Sequence, residues 1–178
     1  LERGRTLGIV GESGSGKSTV ARCLLRLEHP TGGEIRVNGQ DIAPLQGQAA
    51  LAPARRRVQM VFQDPNRSLN PRLRIGESLI EGPLNLGEDR AAALHRAGEL
   101  IEVVGLPSTS LGRFPHQFSG GQRQRIAIAR ALMMEPEVIV ADEAVSALDV
   151  SVQAQVLDLL AEIQERRNLA VLFITHDL

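Results

Sequence analysis

The run Gly11-Glu12-Ser13-Gly14-Ser15-Gly16-Lys17-Ser18 sets glycines, a long cation and a hydroxyl at the spacing G-x-x-x-x-G-K-S. Glycines let successive backbone N–H groups curl around an anion without Cβ clashes. A helix beginning directly after them adds unsatisfied donors and a favourable dipole. Lys17 has the reach for β- and γ-phosphates, and the Ser18 hydroxyl is a ligand type that Mg²⁺ accepts. The chemistry these residues fit is nucleoside triphosphate binding, with Gly11, Ser13, Gly14, Ser15, Gly16, Lys17, Ser18 and Thr19 around the phosphates. The loop alone is silent on what the bound energy drives.

Two more groups carry chemistry. Asp142 and Glu143 follow the apolar run Val138-Ile139-Val140-Ala141. In a parallel sheet, strand carboxyl ends face the ligand crevice. Acids placed there, opposite a phosphate loop, suit metal binding and water activation. Asp142 would hold Mg²⁺ or its water shell, and Glu143 would orient the attacking water or accept its proton. Ser119 and Gln122 fit a capping box, S-x-x-Q, which by itself explains a helix start. Gly120 and Gly121 between them also leave bare backbone donors, and the alternative is a second anion-binding helix end. One nucleotide meets both helix ends only if they come together, most simply across a symmetric dimer.

These residues need a scaffold. The strand candidates are Thr6–Val10, Glu34–Val37, Val58–Gln63, Val138–Ala141 and Ala170–Thr175. Most are continuously apolar, as strands covered on both faces are. Glu34–Val37 alternates and runs into Asn38-Gly39, the signature of a half-exposed strand entering a turn. Helical stripes alternate with the strands: Val20, Cys23, Leu24 and Leu27; Ala93, Ala97, Leu100, Ile101 and Val104; Ile126, Ala129 and Met133; Val152, Val156, Leu159, Leu160 and Ile163. The alternation predicts an α/β fold with a mainly parallel sheet. From about Asp64 to Glu135 only helical patterns and prolines occur, which predicts a helical lobe inserted between strands. The Ala-Pro-rich stretch Gln46–Pro53 reads as a surface loop, and Arg55-Arg56-Arg57 as a solvated strand end.

Bulk properties narrow the class. The 178 residues suffice for one domain, or one domain with an inserted lobe. A net charge of −1 provides no general attraction to nucleic acid or anionic membrane. A single cysteine, Cys23, excludes an internal disulfide framework and a cysteine zinc site. No apolar run approaches the roughly 20 residues that span a bilayer, and no signal peptide is visible. Leu1 is not an initiator, and Leu178 follows directly on a strand-like run, so the expectation is a fragment lacking both ends.

Further short motifs fall in one order along the chain. They are Gln63 at the end of its strand, Ser119 to Gln122, the paired acids, Ser146-Ala147-Leu148-Asp149, and His176 after the last strand. Together with the phosphate loop they resemble the nucleotide-binding subunit of ABC transporters, over essentially the whole chain. Val61-Phe62-Gln63-Asp64-Pro65, Ser68-Leu69-Asn70-Pro71-Arg72 and the run Phe114 to Arg125 resemble the ATPases of bacterial dipeptide, oligopeptide and nickel importers.

The resemblance implies a P-loop NTPase (RecA-like) core over residues 1–63 and 135–178, including part of an antiparallel β subdomain near 34–42, and a helical signature subdomain over 64–134. It implies ATP and Mg²⁺ as ligands. Gly11 to Ser18 match the Walker A loop, Asp142 the Walker B aspartate, and Glu143 the catalytic glutamate. Gln63 matches the Q-loop glutamine at metal or water, and His176 the switch histidine at the γ-phosphate. Ser119, Gly120, Gly121 and Gln122 match the signature that closes on the partner's nucleotide. Asp149 matches the D-loop aspartate and fits a helix N-cap equally well.

Implied partners are a second ATPase subunit, identical or paralogous, integral membrane permease subunits and, indirectly, an extracytoplasmic substrate-binding protein, with no nucleic acid. The implied location is peripheral, on the cytoplasmic face of the bacterial inner membrane. The implied activity is ATP hydrolysis driving import, with peptides as cargo. Two alternatives stand beside it: a soluble ABC-type ATPase acting on nucleic acid or ribosomes, and a truncated, inactive nucleotide-binding module.

The chain departs from the family pattern in three places. Phe118 stands where leucine is usual, and Ala144 where a proline would stiffen the turn after Glu143. The aromatic adenine platform is missing, with no Tyr or Trp anywhere.

Overall fold

Parallel strands require crossover connections, and this chain provides them with helices. A computed structural model describes residues 1–12, 14–65 and 68–176. Its strands are β1 (Thr6–Val10), β2 (Arg36–Val37), β3 (Gln40–Asp41), β4 (Val58–Val61), β5 (Val138–Asp142) and β6 (Ala170–Thr175). Its helices are α1 (Lys17–Leu24), α2 (Gln48–Arg57), α3 (Ile75–Asn85), α4 (Arg90–Val103), α5 (Gly120–Leu132) and α6 (Val150–Arg167). One sheet has the order β1-β6-β5-β4, all parallel, and β2 and β3 form a separate antiparallel hairpin.

The register brings the strand ends level. Val10 lies opposite Thr175, Asp142 opposite Ile174, and Val61 opposite Ala141. The segments beginning at Gly11, Phe62, Glu143 and His176 therefore all leave one edge of the sheet.

Central β5 shows why its sequence is apolar throughout. Ile139 and Ala141 pack into the larger core with residues of α3, α4, α5 and α6. Val140 packs on the opposite face with Ala21, Leu25, Val58, Leu172 and Ile174. A strand covered on both faces has no polar side to show. Between β4 and β5 the described residues carry helices and turns and no strand. The expected α4 stripe of Ala93, Ala97, Leu100, Ile101 and Val104 is fully buried, and Asp89 caps that helix by accepting the Ala92 N–H at 3.0 Å.

Four expectations need correction. Gln46–Pro53 is not simply loop: α2 starts at Gln48 and runs through Pro53. The proline removes one intrahelical bond. Strong helix formers surround it, Leu51 and Ala54 are buried, and Arg55 is tied to Gln48 Oε1 at 2.7 Å and to the Arg26 carbonyl at 2.8 Å. Arg55-Arg56-Arg57 thus form the last turn of a helix, where cations oppose the dipole's negative end.

The buried row of α1 is Lys17, Ala21 and, just past its end, Leu25; Val20 is 49% exposed. Lys17 turns inward, so the residue four positions on turns inward with it and Val20 turns out. Leu27 lies beyond the helix, which ends before Arg26 at φ 54°. Finally, β1 is not covered on both faces. Among the described residues it is an edge strand whose one partner is β6, and Leu7 and Val10 stand about half exposed, at 50% and 46%.

Candidate functional site

The loop after β1 is shaped by two glycines in left-handed conformation, Gly14 at φ 84° and Gly16 at φ 91°, where a side chain would be strained. Gly16 is the N-cap residue of α1 and makes no side-chain cap, so the helix start presents bare N–H groups. Lys17 is buried and folds back over the loop, its Nζ donating to the carbonyls of Gly11 and Glu12, both at 2.7 Å. The cation thus closes a ring of loop backbone. Ser15 and Thr19 stand exposed in the same segment. Ser13 lies outside the described residues.

Across from the loop, Ser18 Oγ donates to Asp142 Oδ1 at 3.0 Å. Asp142 is the last residue of β5 and is buried at 9% exposure. A hydroxyl and a carboxylate held together form an oxygen donor set of the hard type that Mg²⁺ takes. No cluster of three or more metal-binding side chains occurs among the described residues.

Glu143 comes next and adopts φ 48°, in a region that costs a non-glycine residue about 1–3 kcal/mol. It stays there because both its backbone groups are held. Its N–H donates to the Ile174 carbonyl at 2.9 Å, and its carbonyl accepts the Ser146 N–H and Oγ, each at 3.0 Å. Ser146, with fully buried Ala144, secures the turn that a proline ring would otherwise stiffen. The Glu143 carboxylate faces His176, with Oε1 3.2 Å from Nδ1. Gln63, exposed just beyond β4, donates from Nε2 to Ser146 Oγ at 2.9 Å. Lys17, Ser18, Gln63, Asp142, Glu143 and His176 therefore converge from separate segments on one sheet edge.

Ser119 starts α5 with a complete capping box. Its Oγ accepts the Gln122 N–H at 3.3 Å, and its own N–H donates to Gln122 Oε1 at 3.0 Å. Both residues are exposed. No hydrogen bond or ion pair among the described residues joins Ser119–Gln122 to the Gly11–Thr19 loop. Gly121 is buried against α6, and a Cβ there would stand 2.4 Å from Val152 Cγ1. Asp149 occupies the N-cap position of α6, and its carbonyl accepts the Val152 and Gln153 N–H groups at 2.9 Å. Its carboxylate makes no capping bond, so the N-cap expectation holds for position and fails for the side chain.

The model of the ABC transporter family matches residues 1–146. The chain belongs to the ABC transporter family. It is 54% identical along its whole length to provisionally named peptide import ATP-binding proteins of Brucella abortus and Brucella ovis. It spans 54% and 56% of those relatives, a little over half their length. Among solved structures it is similar to the dimeric ATP-binding cassette MJ0796 bound to ADP and Pi (34% identity, TM-score 0.83, covering 99% of this chain and 77% of that one). It is also similar to cbiO1 of Clostridium perfringens, part of the complex cbiONQ (27% identity, TM-score 0.87, covering 99% and 69%).

Two features of this ABC cassette escaped sequence reasoning. Ser146 bonds both Gln63 and Glu143, a role invisible in a four-residue motif. Arg130 of α5 reaches the carbonyls of Ser68 at 2.7 Å and Ser78 at 3.2 Å, and Glu81 Oε2 at 3.0 Å, tying α5 to α3 and the segment before it. The available signal was a cation inside the otherwise apolar run Ile126 to Leu132.

Proposed function

We propose that this chain is the ATP-binding and ATP-hydrolysing subunit of an ABC importer for peptides. One observation carries the reading: a phosphate-type loop, a Ser18–Asp142 pair and a Glu143–His176 pair share one sheet edge in a chain of this family. Backbone donors of Gly14, Ser15, Gly16 and Thr19, with Lys17, bind the phosphates; Ser13 belongs to the same loop. Ser18, Asp142 and Gln63 would hold Mg²⁺, which when bound would neutralise charge on the phosphates. Glu143 orients the attacking water and takes its proton, while His176 holds Glu143 and reaches the γ-phosphate. Catalysis of this type is mostly positioning and charge stabilisation.

The exposed Ser119 and Gln122 and an Asp149 carboxylate that makes no capping bond support completion of each site by a second ATPase subunit, identical or paralogous. MJ0796 is described as a dimer with ADP and Pi. No helix among the described residues is long and apolar enough to cross a membrane. Permease subunits would do the spanning, placing this chain at the cytoplasmic face of the bacterial inner membrane, with a substrate-binding protein acting through them. The RecA-like core comprises residues 1–63 and 135–178, and the signature subdomain 64–134. The peptide cargo rests on the names of the Brucella relatives.

Thermal melting with and without MgATP tests binding. Saturating nucleotide should raise Tm in the wild-type chain and leave Lys17→Ala unmoved. Turnover per chain that rises with protein concentration tests the shared site, and peptide-stimulated turnover with the permease in proteoliposomes tests cargo. No nucleotide-dependent Tm shift at millimolar MgATP would refute the reading.

A further inference from the structure

Gln124, on α5 two residues past the capping box, is fully buried. Its Nε2 donates to the backbone carbonyl of Phe62 at 3.1 Å. Its Oε1 has no hydrogen-bond partner among the described residues. The amide's orientation follows from its partner, because turning it over would set two acceptor oxygens against each other.

At this residue the bond given to the Phe62 carbonyl and the cost of the unpaired Oε1 oppose each other, so little net stability is gained. Burying an amide with one end unpaired is costly, and an apolar side chain of similar volume would avoid that cost. What Gln124 touches is more informative. The Phe62 carbonyl and the Gln63 N–H belong to one planar peptide unit. The bond from Gln124 therefore fixes the plane from which Gln63 departs. Gln63 in turn bonds Ser146, and Ser146 bonds the Glu143 carbonyl. At its other end, Gln124 rides on the helix opened by Ser119, Gly120 and Gly121. One part-buried hydrogen bond thus joins the helix that begins at Ser119 to the peptide unit that leads into the Gln63–Ser146–Glu143 chain.

We propose that Gln124 is a positioning residue, which sets the orientation of Gln63 from α5 and so links the position of that helix to the catalytic edge. The proposal rests on the ATPase reading for its kinetic consequence and not for its structural one.

Gln124→Met keeps the shape and removes the donor. Its Tm should lie within about 3 °C of the wild type or above it. MgATP affinity should change by less than about threefold, while turnover falls about tenfold with little change in KM. In a Gln63→Ala background the same substitution should change turnover by less than about twofold, because the two residues act in series. Without nucleotide, the side-chain NH₂ resonances of Gln63 should shift in Gln124→Met. Equal losses in both backgrounds, or unmoved Gln63 resonances, would overturn the proposal. If the wild-type chain proves inactive, the ATPase reading fails on its own, and the Gln63 resonances alone still decide for or against Gln124.

Discussion

Ser18 Oγ and Asp142 Oδ1 lie 3.0 Å apart, although 124 positions separate them in the chain. One stands at the start of α1 and the other at the end of β5, so the bond joins the phosphate loop to the centre of the sheet. The sheet order makes this possible. β6 lies between β1 and β5, and the register brings the loops that follow β1 and β5 to the same edge.

Asp142→Asn keeps the volume and removes the charge. The Ser18 bond can persist, but the anionic oxygen offered to a hard cation is lost. The Mg²⁺ concentration giving half-maximal ATP binding should rise at least about tenfold. Calorimetric titration of ATP at fixed Mg²⁺ levels measures this, and ATP binding without metal should change much less.

Glu143→Gln preserves the backbone bonds to Ile174 and Ser146, so the φ 48° turn should survive. A glutamine cannot take the proton of an attacking water. Phosphate release should fall by about 100-fold or more, with nucleotide binding intact. Light scattering after size exclusion should show a dimer persisting in MgATP. Unchanged turnover would remove Glu143 from its assigned role.

The two signature glycines should behave differently. A Cβ on Gly121 would stand 2.4 Å from Val152 Cγ1, whereas one on Gly120 meets Leu148 Cδ2 at an ordinary 3.6 Å. Gly121→Ala should therefore destabilise the α5–α6 packing by about 1–3 kcal/mol in denaturant unfolding. Adding Val152→Ala should recover part of the loss. Gly120→Ala should leave stability nearly unchanged, so any loss of turnover there reports the approach of nucleotide or partner.

How much of this was legible depends on what each element needed from the rest of the molecule. β1 and β6 fall on their expected bounds because a short apolar run between polar breaks has few other ways to pair. β5 extends one residue further than expected, and that residue is Asp142 itself, which pairs in register with Ile174 before its carboxylate meets Ser18. α2 was illegible because Pro53 outweighs its neighbours in any local reading, while burial of Leu51 and the anchoring of Arg55 come from distant parts of the chain. The outward turn of Val20 follows from where Lys17 must point, which hydrophobic periodicity does not encode. Ser146 beneath Gln63, and Gln124 beneath Phe62, depend on how helices dock on the sheet, and short motifs carry no such information.

Glu137 offers a test of how the periphery of the fold is held. It begins the approach to β5 and gathers three partners. Asn38 Nδ2 donates to its Oε2 at 2.8 Å, Arg3 Nη2 to the same oxygen at 2.6 Å, and Arg57 Nε lies 3.4 Å from Oε1. The hydrogen bond from Asn38, then Arg3 and Arg57, hold this carboxyl below the usual carboxylate range, against the opposing effect of burial. A carboxyl lowered in the folded state contributes stability above its unfolded pKa, and that contribution disappears as pH falls through the folded value. Glu137→Gln should therefore melt below the wild type at pH 7, and the gap should close as the pH is taken down through the acid range. The Asn38-Gly39 turn joins β2 to β3, so the hairpin should loosen first, and amide exchange at Val37 and Gln40 should rise in the variant at neutral pH. A gap in Tm that stays constant from pH 7 to about pH 3 would assign the effect to packing and not to the ionised carboxylate.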